Sequence, residues 1–154
     1  MLSDLAQEPV RSVARRVAIV VAGDLPIHAV LQQMTDGRQG AVLVTDEQGV
    51  LCGIFTERDV LMKLGDDEAL RNRPVSELMT AEPNRVRASE HLGAALHRMR
   101  EGGFRHLPIV DQASKPVGIL SIRDVLVVVA DHFPKEILNL PPVPRRGPSP
   151  LDGG

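Results

Sequence analysis

The sequence predicts an α/β (α+β) fold in which two β-α-β-β-α repeats pack pseudo-symmetrically into one module. Three observations carry this prediction. The chain repeats itself at one fixed offset. Within each copy the hydrophobic spacing switches from strand to helix and back. The composition, 43% apolar and 25% charged over 154 residues, is that of an ordinary soluble globular domain. A chain of this length buries roughly 70% of the surface its unfolded form exposes, so an apolar core forms without disulfides or metals.

The repeat is plainest where Gly53-Ile54-Phe55-Thr56-Glu57-Arg58-Asp59-Val60-Leu61 is set above Gly118-Ile119-Leu120-Ser121-Ile122-Arg123-Asp124-Val125-Leu126, 65 residues on. Carried backwards, the same offset places Ala29 on Ala94, Leu31 on Leu96, Met34 on Met99, Gly37 on Gly102 and Asp46 on Asp111. Residues 25–64 and 90–129 share eleven identities. Average residue usage would give roughly two or three. Two copies of one supersecondary unit is the simplest account, and each copy needs the other to bury its core.

In chain order, residues 2–16 read as a helix. Val17–Val21 opens the first copy as a short strand, matched by Asn84–Arg87 in the second. Pro26–Thr35 and Leu92–Glu101 carry apolar residues at helical spacing and run out at Gly37 and at Gly102-Gly103. Two strands around a polar turn follow: Ala41–Val44 and Val50–Phe55, then His106–Val110 and Pro116–Leu120. A second helix starts at Thr56 and at Ser121. The reading divides the chain into an N-terminal helical segment (1–16), a first repeat (17–66), a linker helix (67–81), a second repeat (82–133) and a flexible Pro/Gly-rich tail (134–154). Within the linker, Val75–Met79 is the helical stretch. Ser12–Arg16 matches Ser76–Thr80 poorly.

Composition excludes several functions. With no Trp, no Tyr and three Phe, the chain lacks the stacking platform of single-strand nucleic-acid binders. A net charge of −2, with both signs mixed along the chain, gives no field for nucleic acid or anionic membrane. The five His residues lack metal-ligand spacing. Cys52, the single cysteine, reads as a small buried hydrophobe and suits a reducing compartment. The N-terminal residues lack the apolar core of a signal peptide, and no stretch approaches a membrane span. The expected location is the cytoplasm. No Ser/His/Asp or Cys/His set and no paired carboxylates suggest an enzyme.

The Gly-apolar-apolar-Thr/Ser-x-Arg-Asp element supports two readings. In one it is a capping box: Thr56 or Ser121 caps a helix, and Asp59 or Asp124 reaches back to the cap's N–H. In the other the same helix end receives a ligand. Free N–H groups and a hydroxyl suit a phosphate, Arg58 or Arg123 adds a cation, and the Asp accepts hydrogen bonds from a ribose diol. Both readings can hold together.

These repeats, the doubled Gly-h-h-Thr/Ser-x-x-Asp element and the run Arg105-His106-Leu107-Pro108-Ile109-Val110-Asp111 resemble the CBS-domain family, whose tandem pair is called a Bateman module. The likeness spans roughly residues 11–133. It implies two clefts between the repeats that bind an adenosine-containing ligand: AMP, ADP, ATP or S-adenosylmethionine. No cofactor is required. It further implies Asp59 and Asp124 as ribose contacts, Thr56 and Ser121 as ribose or phosphate contacts, and Arg58 and Arg123 near phosphate. The strand after each first helix would line the base pocket, through Ala41 and Val42 in one copy and His106, Leu107 and Pro108 in the other. The first copy lacks the His and Pro of the second, which weakens its phosphate contacts.

Val125–Ala130 is apolar on every side, which predicts a helix buried all round and a homodimer that uses the terminal helices. The expected role is a regulatory sensor acting on a further protein. The alternative is a ligand-free structural or partner-binding module.

Overall fold

The computed structural model describes residues 2–132. The tail read over 134–154 lies outside the described residues. Strands β1 (Ile19–Ala22), β2 (Ala41–Thr45), β3 (Leu51–Thr56) and β4 (Thr80–Ala81) form one sheet in that order. Strands β5 (Val86–Arg87), β6 (His106–Val110) and β7 (Pro116–Ser121) form a second. In each sheet a parallel pair is followed by an antiparallel hairpin. Both hairpins slip register at the same repeat position, Val44/Thr45 and Ile109/Val110. Both turns are held by an Asp: Asp46 Oδ1 accepts from the N–H groups of Gln48 and Val50, and Asp111 Oδ1 from those of Ala113 and Lys115.

The helices are α1 (Leu2–Gln7), α2 (Val10–Val13), α3 (Ile27–Gly37), α4 (Glu57–Asp59), α5 (Leu92–Gly102) and α6 (Ile122–His132). The segment read as one helix over 2–16 is two short ones, broken at Pro9. Proline disfavours helical backbone at the residue before it. Pro9 instead bridges to His91, and 65 residues on Pro74 bridges to Pro26. The hydrogen bonds around these bridges repeat in the same way. Val10 N–H donates to Glu90 O as Val75 N–H does to Leu25 O, and Leu92 N–H donates to Glu8 O as Ile27 N–H does to Arg73 O. The repeat offset therefore runs through the segments before each copy, with Pro9-Val10 on Pro74-Val75; the poor match of Ser12–Arg16 to Ser76–Thr80 came from setting them 64 residues apart. Val10 and Val13 fill the place that Val75 and Leu78 fill in the other half, and all four are buried.

Over 67–81, read as a linker helix, the chain makes short 3-10 turns at Glu68–Asn72 and Val75–Glu77 and then β4. The helix at Thr56 is also shorter than its partner. After α4 it widens into a π turn, Val60–Leu64, closed by Gly65 N–H donating to Val60 O.

Each repeat has its own core. One gathers Val21, Ile27, Val30, Met34, Val42, Val44 and Phe55, and the other Val86, Leu92, Ala95, Met99, Leu107, Ile109 and Leu120. A third cluster joins the halves: Ala41, Leu43, Leu51 and Ile54 of the first copy against Val110 and Ile119 of the second. In α6 only Asp124 and Val125 are buried; Leu126 is 62% exposed and Val127 39%. Burial all round is therefore not met among the described residues. The equivalent residues Leu61 and Met62 are 79% and 76% exposed.

Candidate functional site

Thr56 ends β3 in extended backbone and caps α4. Its N–H donates to Asp59 Oδ2 at 2.9 Å, and Asp59 N–H donates back to Thr56 Oγ1 at 3.4 Å. Ser121 and Asp124 repeat the box at 3.1 and 3.2 Å. Both carboxylates are buried, Asp59 7% and Asp124 4% exposed. The capping reading thus holds in both copies. In the first box Oδ2 of Asp59 is committed to the cap, and Oδ1 faces Lys63 Nζ at 3.0 Å. That ammonium also donates to Leu78 O at 2.9 Å. In the second copy the position four on from Asp124 is Val128, so no lysine shares that carboxylate.

Asp59 opens into a cavity of about 910 Å³ that combines both repeats. The first contributes Ile54, Thr56, Glu57, Arg58, Asp59 and Lys63. The strand and turn before the second contribute Thr80, Glu82, Pro83 and Asn84. The second contributes Phe104, Arg105, His106 and Pro108. This volume suits a nucleoside-sized ligand. Its charges balance, with Glu57, Asp59 and Glu82 against Arg58, Lys63 and Arg105. Burial pushes His106 below the usual imidazole range; Glu57 and Asp124 oppose that, and Arg16 and Arg105 add to it. His106 is therefore neutral at pH 7.

Thr56, Arg58, Asp59, His106 and Pro108 of the expected set meet in this cavity. Ala41, Val42 and Leu107 do not line it. Val42 and Leu107 are wholly buried in the cores of their repeats, and Ala41 lies in the cluster between them. The cause is strand alternation: when residues 106 and 108 face the cleft, residue 107 points to the other face. Lys63, Glu82, Pro83, Asn84 and Phe104 were not foreseen. The i+4 spacing of Lys63 from Asp59 was the one available signal for any of them.

The symmetric counterpart is different. Arg123 lines a smaller opening of about 440 Å³ with Arg16, Val17, Gly37, Arg38 and Gln39. Ser121 and Asp124 are not among its walls. Gln39 Nε2 donates to Val17 O at 2.8 Å, and Arg16 Nη1 to Arg38 O at 3.4 Å. These bonds tie the segment before β1 to the end of α3. Phe104, which replaces Gln39 in the other half, has no polar atom to do so.

Among the described residues no helix is long and apolar enough to cross a membrane, and no group of three His, Cys, Asp or Glu is placed to hold a metal.

Comparison with known proteins agrees with this architecture. The CBS domain model matches residues 10–66 and 75–131, two spans 65 residues apart. The chain is 32% identical over 122 residues to an uncharacterised 17.7 kDa protein of Acidianus ambivalens, covering 79% of this chain and 73% of that one. It is 33% identical to a CBS domain-containing protein of Arabidopsis thaliana over 71% of its own length, but spans only 20% of that relative. Among solved structures, a CBS-domain protein of Agrobacterium tumefaciens matches with TM-score 0.71 and 31% identity, covering 80% of this chain and 94% of that one. CBSX2 in complex with AMP matches with TM-score 0.70 and 26% identity, covering 80% and 97%. The CBS domain pair of MJ0100, in complex with 5′-methylthioadenosine and S-adenosylmethionine, matches with TM-score 0.73 and 19% identity, covering 81% and 98%; it shows the same fold. The chain belongs to the CBS-domain family and carries a tandem pair of its domains.

Proposed function

We propose that this chain is a regulatory sensor, not an enzyme, that binds an adenosine-containing ligand in the cleft at Asp59. AMP, ADP, ATP and S-adenosylmethionine are the ligand class. The observation that carries the reading is the divided role of the Asp59 carboxylate. One oxygen holds the cap, so the group is rigid and oriented, while the other faces a cleft built from both repeats. A ribose diol would take the place of Lys63 on that oxygen, His106 and Arg105 would meet the phosphate, and residues 80–84 would flank the base. The AMP complex of the related CBSX2 supports this ligand class. Because the cleft spans both repeats, a ligand favours one arrangement of the two and shifts the population that a regulated protein meets.

The exposed apolar residues Leu126 and Val127 of α6 form the surface of a homodimer, while their counterparts Leu61 and Met62 edge the larger cleft. The working location is the cytoplasm. A ligand-free partner-binding module is the second reading, favoured by the Asp59–Lys63 ion pair and the two bonds across the other cleft. A thermal-shift screen with AMP, ADP, ATP and S-adenosylmethionine separates the two. A ligand-dependent rise lost in Asp59→Asn supports the sensor. No rise with any of them at millimolar concentration supports the partner-binding module.

A further inference from the structure

The pattern Leu-x-x-x-Pro-Val occurs three times in the chain, at Leu5 to Val10, Leu70 to Val75 and Leu138 to Val143. The first two copies are docked alike on the two repeats. Helix α1 lies against α5, and Glu68–Asn72 lies against α3. Leu5 is buried in one repeat core and Leu70 packs on the other. Pro9 bridges to His91 and Pro74 to Pro26, while Val10 and Val75 are wholly buried. Two backbone bonds fix each copy. The carbonyl before the proline, Glu8 O or Arg73 O, accepts from the N–H of Leu92 or Ile27. The valine N–H donates to Glu90 O or Leu25 O. The pattern is a docking element for the groove beside the first helix of a repeat.

The third copy lies outside the described residues, yet its sequence holds every group that these contacts use. Leu138 and Val143 supply the two apolar anchors, Pro141 the carbonyl before the proline, and Val143 the N–H. The groove on the second repeat is within its reach. Leu5, Val10 and Val13 share a core with Val128 and Val129 of α6, and the six steps from His132 to Leu138 span up to about 20 Å. Two differences make it the weaker occupant. Pro141 has no N–H to repeat the turn bonds from Glu8 to Leu5 O and from Arg73 to Leu70 O. Arg146 stands where Val13 and Leu78 are buried. Residues 5–10 accordingly hold the groove in this structure. Helices α1 and α2, six and four residues long, are too short to persist without their anchors, so the groove goes to whichever segment supplies them.

We propose that the groove between α5 and residues 90–92 has two occupants within one chain: residues 5–10 hold it at rest, and residues 138–143 take it when that segment leaves. Tethering to α6 gives the third copy a high effective concentration at the groove. The exchange keeps the core of the second repeat covered. It also frees residues 2–16, releasing the bridge of Arg16 to Ile119 and the pair of Arg15 with Asp131. The proposal does not depend on adenosine binding at Asp59.

The test places a charge in each element. Val143→Asp, Val10→Asp and V10D/V143D are compared in the full chain by thermal melting and by hydrogen exchange at the Leu92 amide, which donates to Glu8 O in this structure. Ser149→Asp controls for charge alone. In the otherwise unaltered chain Val143→Asp should move the midpoint by less than about 1 °C, because residues 5–10 hold the groove. In the Val10→Asp background it should lower the midpoint by at least about 4 °C and speed exchange at Leu92 at least about tenfold. Ser149→Asp should do neither. L5A/V10A, which truncates both anchors that the third copy retains, carries the same comparison where Val10→Asp does not fold. Midpoints and exchange rates that Val143→Asp leaves unchanged in the weakened background overturn the proposal. A midpoint there that rises with protein concentration also overturns it, because it places residues 138–143 on a second copy of the chain.

Discussion

Lys63 sits where the proposed ligand must go, so replacing it with methionine should tighten adenosine binding. Its ammonium lies 3.0 Å from Asp59 Oδ1 and donates to Leu78 O at 2.9 Å. A diol must break the first contact and disturb the second. The lysine side chain is 42% exposed. An ion pair of that exposure contributes about 0.5 kcal/mol. The hydrogen bond to Leu78 contributes about 1 kcal/mol. Removing both competitors is worth about 1.5 kcal/mol, or about tenfold in affinity. Methionine keeps the length of the stem and its apolar packing while removing the charge. The unliganded protein loses the same contacts, so its melting midpoint should fall by about 3–6 °C. Calorimetry with adenosine reads the affinity and a thermal melt reads the stability. Tighter binding together with a lower midpoint is the expected pair. AMP should gain less than adenosine, because its phosphate loses a nearby cation. A tenfold fall in adenosine affinity would refute the reasoning, since it would make Lys63 a ligand contact and not a competitor.

Further outcomes follow from burial and charge. Phe55 is wholly buried in the first core, so Phe55→Ala should cost about 3–5 kcal/mol; a lower urea midpoint at unchanged slope verifies it, and a change under 1 kcal/mol counts against the packing described. Burial holds the folded pKa of His106 below its ordinary 6.5, so its neutral form costs the fold nothing well above that pH and stability drains away as pH falls below it. His106→Gln should therefore flatten the fall in melting midpoint between pH 7.5 and 5.5, and an unaltered slope would contradict the burial argument. Leu126→Glu places a charge on the apolar face of α6. Light scattering should find the unaltered chain dimeric and this variant monomeric, and a monomeric unaltered chain would remove the homodimer.

The fold was legible because its units are doubled. The 65-residue offset placed the helices and hairpins of both halves, and the Asp turns, the slipped registers and both capping boxes recur at that spacing. What escaped was short or tertiary. The two-residue strand β4, read as part of a linker helix, carries no periodicity to read. The match between Val10–Val13 and the residues around Val75 was legible in Pro9-Val10 against Pro74-Val75, and was missed because Ser12 was set against Ser76, one residue off the repeat offset; the backbone bonds to Glu90 and Leu25 restore it. In the site, the Thr56–Asp59 pair and His106 were legible from motif and composition. The core-facing places of Val42 and Leu107 followed from strand alternation, which a motif copied residue by residue overlooks. That Asp59 of one repeat would share a cavity with His106 of the other is a property of packing, and no local pattern encodes it. The exposed face of α6 shows the same limit. An all-apolar helix announces burial but not whether the covering surface belongs to its own chain.

The central claim is that Asp59, in the larger cleft, holds the ribose. Calorimetric titration of AMP into the unaltered chain, Asp59→Asn and Asp124→Asn tests it most directly. Asparagine keeps an acceptor for the cap but removes the charge that would take two diol hydrogen bonds. Each such bond contributes about 1.5 kcal/mol, so Asp59→Asn should weaken AMP by about 100-fold. Asp124→Asn, beside the smaller opening, should change it by less than threefold. Equal AMP affinity in the unaltered chain and Asp59→Asn, or a large loss confined to Asp124→Asn, would contradict the account.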